Sequence, residues 1–197
     1  MTPQKPLLVP YRIEWEAQAA EWISILRARL GDTAARIEHI GSTAIPSMPS
    51  KDVIDLQLSV IDLESVASIL DSSLGELGFQ KSPFQADHVP TGRGDDPSKW
   101  SKFLWTRQDS TASNINLHVR KVGSPNERFS LLFRDWFRAH PDAIPAYGAI
   151  KESIAMIARD TGTYADVKDP VVDLVNVVAE EWAKDVQWKA WAKDLTK

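Results

Sequence analysis

Residues 40–57 are where residue types and spacing could do chemistry: Ile40-Gly41-Ser42-Thr43, a proline-containing spacer, then Ile54-Asp55-Leu56-Gln57. Glycine permits close backbone approach, and consecutive amides with the hydroxyls of Ser42 and Thr43 can cradle phosphate oxygens. Asp55 interrupts an apolar run, where an unpaired carboxylate is costly, so it must meet water, a cation or a hydrogen-bond donor. Strand residues two apart share a face, so Gln57 projects beside Asp55, where a phosphate-bound Mg²⁺ would sit. The cations that could answer a polyphosphate are Lys51, Arg134, Lys151 and Lys168. Lys151 lies four residues beyond Tyr147 on one helical face, which suits a stacked or hydrogen-bonded pair. His118, on the side of Asn116, and His39 titrate near neutrality and could carry a proton or bind a transition metal. Each also has a plainer reading: a tight turn, a salt bridge, a hydrogen-bonded strand histidine, a solvated charge. Arg134 could equally cross-link to Asp135 or Asp55.

These residues need elements to hold them. Trp15, Ala19, Trp22, Leu26 and Leu30 recur at helical spacing up to Gly31. Residues 36–40 alternate as a short strand, and residues 52–60 read as a buried one. Asp62 caps a helix with Leu63, Val66, Leu70, Leu74 and Leu77 on one face, stopped by Gly78. Residues 81–98 read as an irregular excursion, followed by a strand pair over 100–107 and 115–122. Ser124, Pro125 and Glu127 predict a capping box before a stripe of Phe129, Leu132, Phe133, Trp136 and Phe137. His140-Pro141 ends that helix, and a second runs from about Asp142 to Ile157. A third is expected to open at Asp169-Pro170, burying Val171, Leu174, Val175, Val178 and Trp182. The final segment, with Trp182, Trp188 and Trp191, is expected to pack on the body or on a second subunit. The order predicts one α+β domain over residues 1–197: a mixed sheet covered by helices, with a helical C-terminal half.

Composition narrows the function classes. The 197 residues contain no cysteine, which excludes disulfides, thiolate metal sites and cysteine nucleophiles. A net charge of −4 weighs against a dedicated nucleic-acid binder. No run reaches the roughly 20 apolar residues of a membrane span, and no secretory signal opens the chain, so a cytoplasmic location is expected.

The spaced Gly-Ser and Asp-apolar-polar pattern looks like the nucleotidyltransferase superfamily. The fuller string Glu38-His39-Ile40-Gly41-Ser42-Thr43-Ala44-Ile45-Pro46, with Lys51 and Ile54-Asp55-Leu56, resembles the GrpB family. So do Asn116-Leu117-His118-Val119, residues 133–141, Ala146-Tyr147, Lys151 and residues 164–168, spread over about four-fifths of the chain. The resemblance implies a nucleotidyltransferase-like sheet. It also implies a cleft in which Gly41, Ser42, Thr43 and the cations hold phosphates, while Asp55 and Gln57 hold Mg²⁺. Asp55 and His118 are then the catalytic pair of a metal-assisted nucleotidyl transfer. Members fused to a dephospho-coenzyme A kinase point to nucleotide or coenzyme metabolism. The superfamily typically pairs acids as Asp-x-Asp and adds a third from a later strand; here Gln57 and His118 occupy those places. A second reading therefore stays open, a non-catalytic nucleotide- or coenzyme-binding regulatory module with a degenerate metal site. A third is a His118/His39 transition-metal site for hydrolysis. The expected partner is a phosphorylated small molecule, and a homo-oligomer is compatible with the pattern.

Overall fold

The computed structural model describes residues 5–190. Helix α1 (Glu14–Leu30) leads to strands β1 (Arg36–Ile40) and β2 (Val53–Val60), joined through a 3₁₀ turn at Ser42–Ala44. Helix α2 (Leu63–Glu76) and the short β3 (Gln80–Lys81) precede β4 (Lys102–Arg107) and β5 (Asn114–Lys121). Three helices follow: α3 (Pro125–Ala139), α4 (Ile144–Ile157) and α5 (Thr161–Asp185). The sheet order is β1-β2-β5-β4-β3, with β2 parallel to β5 and the other pairs antiparallel. This is the expected mixed α+β sheet. No helix among the described residues is long and apolar enough to cross a membrane.

Alternation in the two central strands gives the sheet two unlike faces. Ile54, Leu56, Leu58 and Val60 of β2 and Ile115, Leu117 and Val119 of β5 are buried with Trp15, Leu26, Leu70 and Leu74 of α1 and α2. The opposite face carries Asp55, Gln57 and Ser59 beside Asn116, His118 and Arg120, in parallel register. A polar face would ordinarily meet water. Here Gln57, Ser59 and Arg120 are buried, and α3 lies over them, with Ser130 and the Glu127 carbonyl bonded to Gln57. Burying polar side chains requires partners for each, and those partners build the site.

Two expectations about the helices are corrected. The last helix opens nine residues earlier than Asp169-Pro170 indicated, where the Asp160 side chain accepts from the Thr163 amide at 2.7 Å. Pro170 lies inside it. The helix consequently buries Tyr164, Asp173, Asn176, Ala179 and Ala183, while Leu174 and Val178 of the expected face are exposed. The capping box at α3 is also shifted. Ser124 makes no side-chain cap bond, and Glu127 Oε2 accepts from the Gly123 amide at 2.7 Å. Trp188 donates to Asp135 at 3.0 Å, so the chain beyond α5 packs on the body as far as it is described; Trp191 lies outside the described residues.

Candidate functional site: the Gly41 turn and Asp55

The turn after β1 and the carboxylate of β2 are neighbours because Ile40 pairs with Asp55 across the antiparallel ladder. Gly41 has φ 70° and ψ −169°, a conformation essentially reserved for glycine. A Cβ there would lie 2.6 Å from Asp55 Oδ2, so glycine is required twice over. Arg134 Nη1 donates to the His39 carbonyl at 2.9 Å and Arg138 Nε to the Ala44 carbonyl at 2.9 Å. Two arginines of α3 thus clamp the turn at both ends. Ser42 is half-buried, and among the described residues its hydroxyl has no hydrogen-bond partner.

One oxygen of Asp55 is fully occupied. Oδ1 accepts from Asn116 Nδ2 at 2.9 Å and meets His118 Nε2 at 3.5 Å. Oδ2 is the oxygen turned to Gly41. Burial by itself would raise this carboxyl; the bonds from His118 and Asn116 and the Lys51 charge bring it down to about 2. The carboxylate remains 28% exposed, so solvent and a small anion or cation can reach it.

Behind His118 lies a buried ionic cluster. Lys102 Nζ and Arg120 Nη2 approach His118 Nδ1 at 3.4 and 3.5 Å. Both are pure donors, so Nδ1 accepts and the ring proton sits on Nε2, facing Asp55. Burial lowers the histidine pKa, and the Arg120 and Lys102 charges lower it further against the pull of Asp55. The neutral ring therefore orients Asp55. The two cations are held by Asp87, 2.5 Å from Lys102 Nζ and 2.9 Å from Arg120 Nε, and Asn126 donates to Asp87 at 3.0 Å. Sequence reasoning missed Asp87, which lies in the excursion between β3 and β4. The available signal was that Lys102 and Arg120 point inward from strands and so require an acid.

Three of the four expected cations converge on Asp55. Lys51 precedes β2 and stands over the Tyr164 ring at 5.4 Å. Lys151 is buried, its ammonium bonded to the Pro49 carbonyl at 2.5 Å and 5.8 Å from the Tyr147 ring centre. Helix α4 comes this close because Gly148 has no Cβ; one would lie 2.9 Å from Pro49. Burial, then the charges of Lys168 and Lys51, push Lys151 down to about 7, with Asp55 opposing. Lys168 is lowered by burial and by Lys51, with Asp169 and Asp55 opposing.

The remaining candidates are placed elsewhere. Arg134 is committed to Glu38 and Asp135, each at 2.7 Å, and braces the turn through the His39 carbonyl. Gln57 Oε1 accepts from Arg120 at 2.6 Å and Ser130 at 2.7 Å, so a guanidinium occupies the lone pairs a metal would need. The Thr43 hydroxyl is turned inward, bonded to the Val53 carbonyl at 3.3 Å and to His39 Nε2 at 3.0 Å. His39 and His118 lie in separate networks. Among the described residues, no group of three or more His, Cys, Asp or Glu side chains is placed to hold a metal ion.

His39 makes a pH prediction. Burial pushes it down to about 4 against an ordinary 6.5. Its folded form resists protonation, so the unfolded chain binds more protons between those values and stability falls as pH drops from 6.5 toward 4. The slope reaches about 1.4 kcal/mol per pH unit for one such group. In denaturant titrations from pH 7 to 4.5, His39→Gln is expected to be flatter than the parent; parallel curves would refute this.

A family model described as GrpB protein matches residues 5–177. A dephospho-CoA kinase from Mycolicibacterium paratuberculosis is 34% identical over 195 residues, covering 92% of this chain and 48% of that protein. UPF0157 protein BH1888 from Halalkalibacterium halodurans is 28% identical over 166 residues, covering 84% of this chain and 77% of its own. The first dephospho-CoA kinase relatives are matched over 48% and 46% of their lengths, so the chain spans about half of each. The crystal structure of conserved protein GrpB from Enterococcus faecalis has a TM-score of 0.70 at 22% identity, covering 89% of this chain and 99% of that one. With the motif-bearing turn, the Asp55 strand and the clamping helix all inside the matched span, the chain belongs to the GrpB family.

Proposed function

We propose that the protein binds a nucleoside polyphosphate or a related phosphorylated ligand in the cleft between the Gly41-Ser42 turn and Asp55. What supports this reading is that Lys51, Lys151 and Lys168 act electrostatically on one another and on Asp55, which pairs with Ile40 at the start of the Gly41-Ser42 turn. Crowded lysines repel one another as their ammonium forms, which is part of what holds Lys151 low, and an anion between them relieves that repulsion. The dephospho-CoA kinase name of several relatives supports a nucleotide or coenzyme as the phosphorylated compound.

Nucleotidyl transfer would need a cation centre at Asp55, and the bond from Arg120 to Gln57 favours the second reading, a binding or regulatory module. The test is a thermal-shift panel of nucleoside di- and triphosphates and phosphorylated coenzymes, each against its dephosphorylated counterpart. At a hundredfold excess over Kd a ligand adds about 2.7 kcal/mol, roughly 5–10 °C for a chain of this size. Equal responses to phosphorylated and dephosphorylated compounds, or none to either, would refute the reading.

A further inference from the structure

We infer that the cleft takes the phosphates of its ligand without a divalent cation, with Lys51, Lys151 and Lys168 supplying the countercharge. The inference rests on the phosphorylated-ligand reading above and concerns how that ligand is held.

The donor set is the first ground. Hard divalent cations need several oxygen ligands, carboxylates above all. Asp55 Oδ1 is engaged by Asn116 and His118, which leaves Oδ2. Asn116 turns its NH₂ toward Asp55. The Gln57 amide oxygen is bonded to Arg120 and Ser130. Both His118 nitrogens are occupied, Nε2 by Asp55 and Nδ1 by Lys102 and Arg120. Asp169 and Asp173, on the α5 side near Lys168, are paired with His88 at 3.3 and 2.8 Å. One free carboxylate oxygen is a poor cage for an ion that prefers six ligands.

Charge is the second ground. Around Asp55 stand three lysines, and behind His118 stand Lys102 and Arg120 against the single Asp87. A second carboxylate at position 57 would have lowered this field; the neutral Gln57 instead binds a guanidinium. A dication entering here meets like charge, whereas a di- or triphosphate meets its complement. Lys151, with a carbonyl as its hydrogen-bond partner and held low by burial and then by its lysine neighbours, is the group an incoming phosphate would most relieve.

The experiment uses the full chain with two probes, ATP and inorganic tripolyphosphate, each titrated in EDTA and again in excess MgCl₂. The expected result is saturable stabilisation in EDTA at least as strong as in MgCl₂, because Mg²⁺ competes for the phosphate oxygens. Lys51→Gln and Lys168→Gln, both on partly exposed side chains, are each expected to weaken binding about tenfold or more in EDTA, the loss of a charge-assisted contact. Stabilisation that appears only with MgCl₂ overturns this inference and leaves the phosphate reading standing. Wild-type affinity in both lysine variants overturns the assignment of the countercharge. No response to either probe in both buffers, with the protein folded, overturns the phosphate reading itself.

Discussion

Asp87→Ala is expected to destabilise the fold by about 3–5 kcal/mol, the range for removing one partner of a buried ion cluster. Lys102 and Arg120 would be left 9% and 6% exposed with no carboxylate between them, and Asn126 would lose one of its acceptors. The direction of the Asp87 pKa agrees. Burial alone would raise it, but Arg120 and then Lys102 hold it far below the usual carboxylate range. A folded pKa below the unfolded one means the contribution is complete above the ordinary carboxylate range and drains away in acid. Urea denaturation at pH 7 measures the loss. The pairing account also predicts that Asp87→Ala in a Lys102→Met background costs less than in the parent, because one of the stranded charges is gone. A loss below about 1 kcal/mol for the single variant would show that water solvates these cations. The cluster matters beyond stability because Lys102 and Arg120 fix the His118 tautomer, and His118 fixes Asp55.

The sequence carried the central strands clearly and the partners of their polar residues hardly at all. Strict alternation in Val53–Val60 and Asn114–Lys121 separates an apolar face from a polar one, so residue order alone assigns Asp55, Gln57, Asn116 and His118 to one side. The Gly-Ser turn and three of the cations were legible for the same reason: residue type and local spacing state what they could do. Pairing over long separations has no such local signal. The Arg134 pairing with Asp135 next to it was legible, but not the one with Glu38, 96 residues away, and Gln57 looks like a ligand until Arg120 and Ser130 take its oxygen. Asp87 sat in an excursion with no periodicity, yet it anchors two strand cations. The α5 boundary failed differently. Asp169-Pro170 is a good helix-start signature, but Asp160 provides an actual cap nine residues earlier, and packing of the longer helix outweighs a proline interior cost of about 3 kcal/mol. Local signals at the two positions are equivalent; tertiary contacts chose between them.

Gly41→Ala should both destabilise the protein and disturb the Asp55 site. Two separate effects act at this position. A φ of 70° with ψ near 180° costs a side-chain-bearing residue about 1–3 kcal/mol. The new methyl would also stand 2.6 Å from Asp55 Oδ2 and 3.0 Å from Asp55 Cβ. The carboxylate cannot simply rotate away, because Oδ1 is tied to Asn116 and His118 and the strand backbone is tied into both neighbouring strands. Nor can the turn retreat freely, with Arg134 on the His39 carbonyl and Arg138 on the Ala44 carbonyl. Relief must come from moving Asp55 or opening the turn, and either changes how the turn and the acid face each other. The variant is therefore expected to lose about 1–3 kcal/mol or more in denaturation and to show no thermal response to ATP or tripolyphosphate at concentrations that saturate the parent. Comparing Gly41→Ala made in an Asp55→Gly background with Asp55→Gly alone separates the two effects: there the second substitution should cost less than in the parent, because the clash is gone while the strained dihedral remains. If Gly41→Ala melts with the parent and binds the probes as tightly, the turn and the carboxylate do not share a ligand, and the cleft is not the site.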